Sequence, residues 1–168
     1  GDAHLAFVAI GKCAAGDGRD ATRWCYGDQQ DDSLMEKLSG RCLCGQVTWT
    51  SDGTVLWSDM CHCESCRRAN AAPMVPFFGV PRAELRINGR LSTYASSVGV
   101  ERGFCAECGT PVYYKNEKWP EETHLMSLTL DDPNRVPPRE HYHWAERVVW
   151  EDGAAFLPKH DASAETTK

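Results

Sequence analysis

The stretch Cys61-His62-Cys63-Glu64-Ser65-Cys66-Arg67-Arg68 decides how the chain folds, because it places three thiols within six residues. Thiols this close in sequence are too tightly spaced for ordinary structural disulfides with one another, but adjacent turns of the backbone can point all three at one ion. Soft thiolate ligands select zinc among the common metals. Because zinc in proteins is usually four-coordinate, three protein ligands leave one position free, which is the arrangement of a catalytic site.

Two cysteine pairs, Cys42-x-Cys44 and Cys105-x-x-Cys108, flank this stretch in the sequence. Each pair is followed by a glycine, which lets the backbone turn beneath the sulfurs. One pair supplies two ligands, whereas a structural zinc needs four. The spacing therefore predicts two zinc ions per chain. The first would be held by Cys42, Cys44, Cys105 and Cys108. The second would be held by Cys61, Cys63 and Cys66.

The same residues leave a second partition open, in which His62 closes the central site and another cysteine pair stays open. Consecutive residues are awkward joint ligands, since Cys61, His62 and Cys63 cannot easily turn all three side chains toward one ion. This favours a position for His62 beside the metal ligands or facing a substrate. A lone C-x-x-C pair can also be a redox motif or two buried cysteines, but three cysteine clusters in succession favour metal binding.

Length and composition indicate a single soluble globular domain. The chain has 168 residues, of which 42% are hydrophobic and 25% are charged, as is ordinary for a soluble protein with its own core. The net charge of −6 disfavours nucleic acid as a partner, and no apolar run approaches the ~20 residues that cross a membrane. The first residues lack the basic leader of a secretory signal. We therefore expect a cytoplasmic protein, in which cysteines serve as ligands rather than as disulfides.

Composition along the chain predicts three segments. Residues 1–34 are rich in Gly and Asp and are predicted to form an N-terminal extension that is poorly ordered or docked on a neighbouring subunit; the alternative is an integral element of the domain. Residues 35–158 are predicted to form the zinc domain. Residues 159–168 are polar and are predicted to form a frayed tail.

Short alternating segments separated by turn residues predict a mainly β fold without a long helix. Asn88-Gly89 is a two-residue turn signal and predicts a hairpin between the strands on either side of it. Pro76 interrupts an apolar strand predicted over 74–80, which favours the edge of a sheet or a bulge. The residues after Cys66 predict a helical turn over 67–72, ended by Pro73.

The three cysteine motifs resemble those of the glutathione-dependent formaldehyde-activating enzyme family, which also includes centromere protein V-like proteins. The residues that carry the resemblance are Gly40-x-Cys42-x-Cys44-Gly45-x-Val47, Cys61-His62-Cys63-x-x-Cys66-Arg67 and Phe104-Cys105-x-x-Cys108-Gly109-Thr110. The resemblance implies an Mss4-like zinc-binding β-sheet fold with short helical turns. It also implies a structural zinc at the two flanking pairs and a catalytic zinc at the three central cysteines.

The activity that the resemblance implies is that of a zinc-dependent carbon–sulfur lyase or an S-hydroxymethylglutathione synthase-like enzyme. Zinc would hold the thiolate of a small-molecule substrate, such as glutathione combining with formaldehyde or a related thiol adduct. Arg67 or Arg68 could offset the charge of the thiolates or pair with a substrate carboxylate; the alternative is a solvated pair after a turn. His141 and His143 are candidates for an acid or base, with packing against Trp144 as the alternative.

A protein of another class also fits the sequence, namely a protein-binding module that zinc stabilises and that has no catalytic activity. The open three-cysteine site favours the enzyme, because a scaffold has little use for a free coordination position. Aromatic residues near the C-terminus could serve a homodimer.

Overall fold

The computed structural model describes residues 36–160. The predicted N-terminal extension over 1–34 and residues 161–168 of the predicted tail lie outside the described residues. Within the described range, ten strands form two sheets and the helices are short, so the mainly β prediction is confirmed. None of the helices in this range is long and apolar enough to cross a membrane.

Short strands, short helices and single helical turns make up the described chain. The first elements are β1 (Leu38–Arg41), β2 (Thr48–Ser51), β3 (Trp57–Cys61) and helix α1 (Glu64–Asn70). The next are β4 (Val75–Pro81), β5 (Arg86–Asn88), β6 (Leu91–Ser97) and β7 (Val100–Cys105). The last are β8 (Pro111–Asn116), β9 (Glu122–Met126), β10 (Glu140–Tyr142) and helix α2 (Glu151–Ala154). Single 3-10 turns lie at Arg82–Glu84, Ser127–Thr129, Pro133–Arg135 and Trp144–Glu146.

The smaller sheet has three antiparallel strands in the order β1-β2-β5. The larger sheet has seven strands in the order β10-β3-β4-β9-β8-β7-β6. Its strands pair antiparallel except for β10 and β3, which are parallel. Cys61 is the last residue of β3 and Cys105 is the last residue of β7. The cysteine motifs therefore lie at strand ends, where the backbone turns.

Side chains of the larger sheet are buried in two separate clusters. The first combines residues of both sheets, among them Trp49, Phe78, Val112 and Leu125. The second contains Cys61, Cys66, Val75, Phe77 and Met126. Because successive residues of a strand point to opposite faces, Phe77 and Phe78 contribute to different clusters. Strand β4 is thus buried on both sides, as its continuous apolar sequence indicates.

The hairpin predicted at Asn88-Gly89 is wrong. Strand β5, before this turn, pairs with β2 in the smaller sheet, whereas β6, after it, pairs with β7 in the larger sheet. Gly89 has a φ of +99°, and a Cβ atom there would collide with the backbone carbonyl of Gln46. The turn therefore carries the chain from the smaller sheet to the larger one. It passes so close to the backbone of Gln46 that only glycine fits there.

The edge or bulge predicted from Pro76 is also wrong, since β4 lies in the interior of the larger sheet between β3 and β9. Pro76 is opposite Met60 of β3, but the pairing with β9 ends at Phe77, which is opposite Met126. The missing N–H group of the proline is tolerated because it falls at the end of the strand, beyond the last residue of β9.

Helix α1 begins three residues before the helical turn predicted over 67–72. Its N-terminal cap is Cys63, whose sulfur accepts a hydrogen bond from the N–H of Cys66 at 3.4 Å. The thiol thus takes the place of the hydroxyl or carboxylate that caps most helices. The helix ends before Ala71, which has a φ of +48°. Two of the three clustered thiols therefore belong to the start of a helix.

Replacing Gly89 with alanine should destabilise the fold more than replacing Gly99 with alanine. Both glycines have positive φ, so strain alone costs each variant about 1–2 kcal/mol. The methyl group added at Gly89 also meets the backbone of Gln46, whereas at Gly99 it meets only the flexible side chain of Glu117. Chemical denaturation should show an additional loss of about 1 kcal/mol or more for the Gly89→Ala variant. Equal losses would contradict the close approach at Gln46.

Candidate metal centres

The sulfur atoms of Cys42, Cys44, Cys105 and Cys108 lie within 4.8 Å of one another. The Sγ atoms of Cys42 and Cys44 are 3.5 Å apart, and those of Cys44 and Cys105 are 3.8 Å apart. Four thiolates bonded to one zinc at about 2.3 Å stand about 3.8 Å apart in a tetrahedron. The spacing of the sulfurs therefore fits a zinc ion, and no disulfide joins these four cysteines.

Two tight turns present these four sulfurs. Gly45 has a φ of +76° and Gly109 has a φ of +74°, so each turn uses a backbone conformation that favours glycine. The N–H of Leu43 in the first turn donates a hydrogen bond to Oγ1 of Thr110 after the second, at 3.1 Å. The four-cysteine cluster therefore joins the connection between β1 and β2 to the connection between β7 and β8.

Cys61, Cys63 and Cys66 form a second cluster, and their sulfur atoms also lie within 4.8 Å of one another. Cys61 ends β3, Cys63 caps α1 and Cys66 lies in the first turn of that helix. The passage from strand to helix thus points three thiols at one place. Among residues 36–160, no fourth ligand group converges with them. This donor set fits a zinc ion with one position left for another ligand.

Without a cation, the three thiols cannot readily all be ionised together. A hydrogen bond from Cys61, reinforced by the positive charge of Arg102, holds the pKa of the Cys66 thiol below its ordinary value. The same hydrogen bond raises the pKa of Cys61. Burial, together with the negative charge of Cys66, raises the pKa of Cys63. One thiolate therefore suppresses the ionisation of its neighbours, a conflict that a bound cation would remove.

Arg102 of β7 lies directly against this three-cysteine cluster. Its Nη2 atom is 3.8 Å from Sγ of Cys66 and donates a hydrogen bond to Oγ of Ser65 at 3.0 Å. Its Nε atom donates to Oγ of Ser96 at 3.2 Å. The guanidinium carbon lies 5.0 Å from the ring centroid of Tyr114. Only 9% of the residue is exposed, so a buried positive charge stands beside the sulfur.

A cavity of about 580 Å³ opens beside Arg102, and residues of α1, β6 and β7 line it. A volume of this size can hold a small molecule. Its polar lining includes Ser65, Arg68, Asn70, Thr93, Ser96 and Arg102. None of its lining residues is acidic, and two are arginines. The cavity is therefore suited to a polar or anionic ligand.

His62 directs its ring toward the C-terminal segment and does not join the three sulfurs. Its Nδ1 atom is 3.2 Å from Oε2 of Glu151, and its Nε2 atom is 2.8 Å from Nδ1 of His141. The indole of Trp144 meets the ring edge to face, with the ring centroids 5.0 Å apart. The fully buried ring therefore anchors the backbone between Cys61 and Cys63.

The other residues predicted around the site have separate positions. Nε of Arg67 donates a hydrogen bond at 3.0 Å to a backbone carbonyl of the cysteine-bearing turn. Arg68 forms an exposed ion pair with Glu64 at 2.7 Å and lines the cavity. His143 pairs with Glu146 at 2.8 Å on the surface. Of these residues, Arg68 is therefore the one that a ligand in the cavity would meet.

Sequence reasoning missed three residues of this region, namely Arg102, Asp59 and Glu151. Burial, with the negative charge of Cys66, raises the pKa of Asp59 to about 6. Asp59 had a local signal, because it precedes Cys61 by two residues on a strand and so shares its face. Arg102 and Glu151 had none, since sheet pairing and the return of the C-terminal segment bring them to the site.

Comparison with known proteins agrees with these motifs. Residues 37–146 match the family model described as glutathione-dependent formaldehyde-activating enzyme. Over 88 residues, the chain is 34% identical to an uncharacterized lyase of Schizosaccharomyces pombe; the match covers 51% of this chain and 64% of that relative's length.

The fold is similar to that in a crystal structure of a Rhodobacter sphaeroides protein, with a TM-score of 0.51 at 22% identity. This likeness covers 62% of the chain and 99% of the Rhodobacter protein. The two cysteine clusters are consistent with the Mss4-like zinc-binding fold. Because the family model spans more than half of the sequence, the chain belongs to the glutathione-dependent formaldehyde-activating enzyme family.

Proposed function

We propose that the protein is a zinc-dependent carbon–sulfur lyase acting on a thiol adduct of the glutathione–formaldehyde type. The observation that carries the proposal is the three-cysteine cluster, which has no fourth protein ligand among residues 36–160. Arg102, which is 3.8 Å from Sγ of Cys66, lines a cavity large enough for a small molecule. Family membership supports a thiol substrate, and the name of the Schizosaccharomyces pombe relative supports lyase activity.

We infer a different task for each centre. Cys42, Cys44, Cys105 and Cys108 would hold a structural zinc, and Cys61, Cys63 and Cys66 would hold a catalytic zinc. When bound at the second centre, zinc would hold the substrate sulfur as a thiolate at neutral pH. In the adduct-forming direction, the thiolate sulfur bonds to the aldehyde carbon, the carbonyl π bond opens onto oxygen, and this oxygen takes a proton from solvent. In the lyase direction, the hydroxyl proton returns to solvent, the carbonyl π bond re-forms, and the carbon–sulfur bond breaks to release the thiolate.

Side chains around the centre favour this chemistry over the activation of water. A site with three thiolates is rich in negative charge, which makes it a weak electrophile for a carbonyl and suits it to hold sulfur. Phe77 and Met126 pack against the cluster and exclude water from that side. Arg68 in the cavity wall is placed to pair with a carboxylate of the substrate.

A second candidate function, a protein-binding module that zinc stabilises, is favoured by exposed apolar side chains near the end of the described chain. They are Val149, Trp150, Phe156 and Leu157. A contiguous patch of apolar side chains in solvent is typical of surfaces that bind a partner, which includes a second copy in a homodimer. Such a module would need only the four-cysteine centre.

The zinc content of the chain separates these functions. We expect about two zinc ions per chain in protein purified anaerobically without a chelator, because the cysteines form one group of four and one group of three. Elemental analysis together with titration of free thiols would measure this. About one zinc, with three free thiols that added zinc does not protect, would contradict the enzyme and favour the binding module.

Replacing single cysteines should separate catalysis from folding. Cys63→Ser should lower turnover of a glutathione–formaldehyde mixture by more than about 100-fold while the far-UV circular dichroism and the other zinc stay unchanged. Cys105→Ser, as the matched variant, should unfold the domain or lower its melting temperature strongly, because structural zinc contributes folding free energy directly. A Cys63→Ser variant that simply unfolds would show that the second centre is structural.

A further inference from the structure

We propose that Arg102 is a positioning residue for the three-cysteine centre, and that its fixed positive charge sets the affinity of that centre for its metal. The inference rests on the proposed function in one respect, since it requires a metal at these cysteines. It goes beyond that function because it gives a role to a residue outside the cysteine motifs.

The burial of Arg102 requires a nearby negative charge. A guanidinium removed from water is costly unless an anion stands close to it. Within residues 36–160, no carboxylate forms an ion pair with this side chain. Its hydrogen bonds go to the neutral hydroxyls of Ser65 and Ser96, and its charge faces Sγ of Cys66 at 3.8 Å. The sulfur cluster is therefore the anion that this buried cation accompanies.

The negative charge of the metal centre also favours a positive charge nearby. Three thiolates around a divalent cation leave a net negative charge, and a substrate thiolate in the fourth position would add to it. Cys66 is buried, so solvent and salt screen this charge poorly. A positive charge within 4 Å of the sulfur therefore favours both the thiolate ligands and an anionic fourth ligand.

The four-cysteine centre provides a comparison within the same molecule. Its basic neighbour Arg90 is exposed and already forms an ion pair with Glu107. Cys44 of that centre is also exposed to solvent, which screens charge. The two centres should therefore differ in how much they depend on a nearby arginine, and the four-cysteine centre can serve as an internal control for folding.

Two substitutions of Arg102 distinguish charge from hydrogen bonding. Arg102→Gln removes the charge but keeps an amide that can donate to Ser65 or Ser96, whereas Arg102→Lys keeps the charge and loses the forked geometry. In the full chain, competition for Zn²⁺ with a chromophoric chelator measures both affinities, and Co²⁺ absorption reports the ligand set. We expect Arg102→Gln to weaken the three-cysteine centre by about 10–100-fold and Arg102→Lys to weaken it much less. The four-cysteine centre should be unchanged in both, as should both centres in Arg90→Gln.

Equal weakening by glutamine and lysine, or no weakening by glutamine, would overturn the proposal. If Arg102→Gln also loses the four-cysteine metal because it fails to fold, the double variant Ser65→Ala/Ser96→Ala decides instead, since it keeps the charge and removes the hydroxyl partners. Unchanged Zn²⁺ affinity in that variant supports a role for the charge, and a loss of about 10–100-fold overturns it. If the wild-type chain binds a single Zn²⁺, both the proposed function and this inference are overturned. If it binds two Zn²⁺ and the Arg102 variants bind them with unchanged affinity, the inference alone is overturned.

Discussion

Crowded thiols are the constraint on which the rest of this structure depends. In each cluster the sulfurs lie within 4.8 Å of one another, and thiolates at such distances repel unless a cation stands among them. The four-cysteine cluster draws together two chain connections that are far apart in sequence, while the three-cysteine cluster joins the end of β3 to the start of α1. Metal binding at both clusters would therefore be coupled to folding.

The division of the cysteines into four and three could be predicted because it depends on local spacing and on ligand number. Tight turns place neighbouring cysteines together whatever the rest of the chain does. The mainly β class was predictable for a similar reason, since alternation of polar and apolar residues is a local property.

Pairing between strands was harder to predict, as Asn88-Gly89 and Pro76 show. An Asn-Gly pair indicates a backbone conformation with positive φ, and Gly89 has one, but that conformation does not decide which strands pair. The close approach of Gln46 to this turn instead reflects how the two sheets pack. At Pro76 the missing N–H depended on where β9 ends, which the sequence around the proline cannot reveal. Both predictions were wrong because a local sequence signal does not determine which distant strands pair.

Strand β7 connects the two cysteine clusters. It ends in Cys105, a member of the four-cysteine cluster, and three residues earlier it carries Arg102, which faces Cys66. An odd separation along a strand sends two side chains to opposite faces, so this one strand can serve both clusters. Pairing with β6 runs without a register shift from Arg102 to Cys105, whereas the pairing with β8 shifts register between Gly103 and Phe104. The four-cysteine cluster and the arginine beside the three-cysteine cluster are thus carried by one short strand, so a metal that fixes the end of β7 would also fix the position of Arg102.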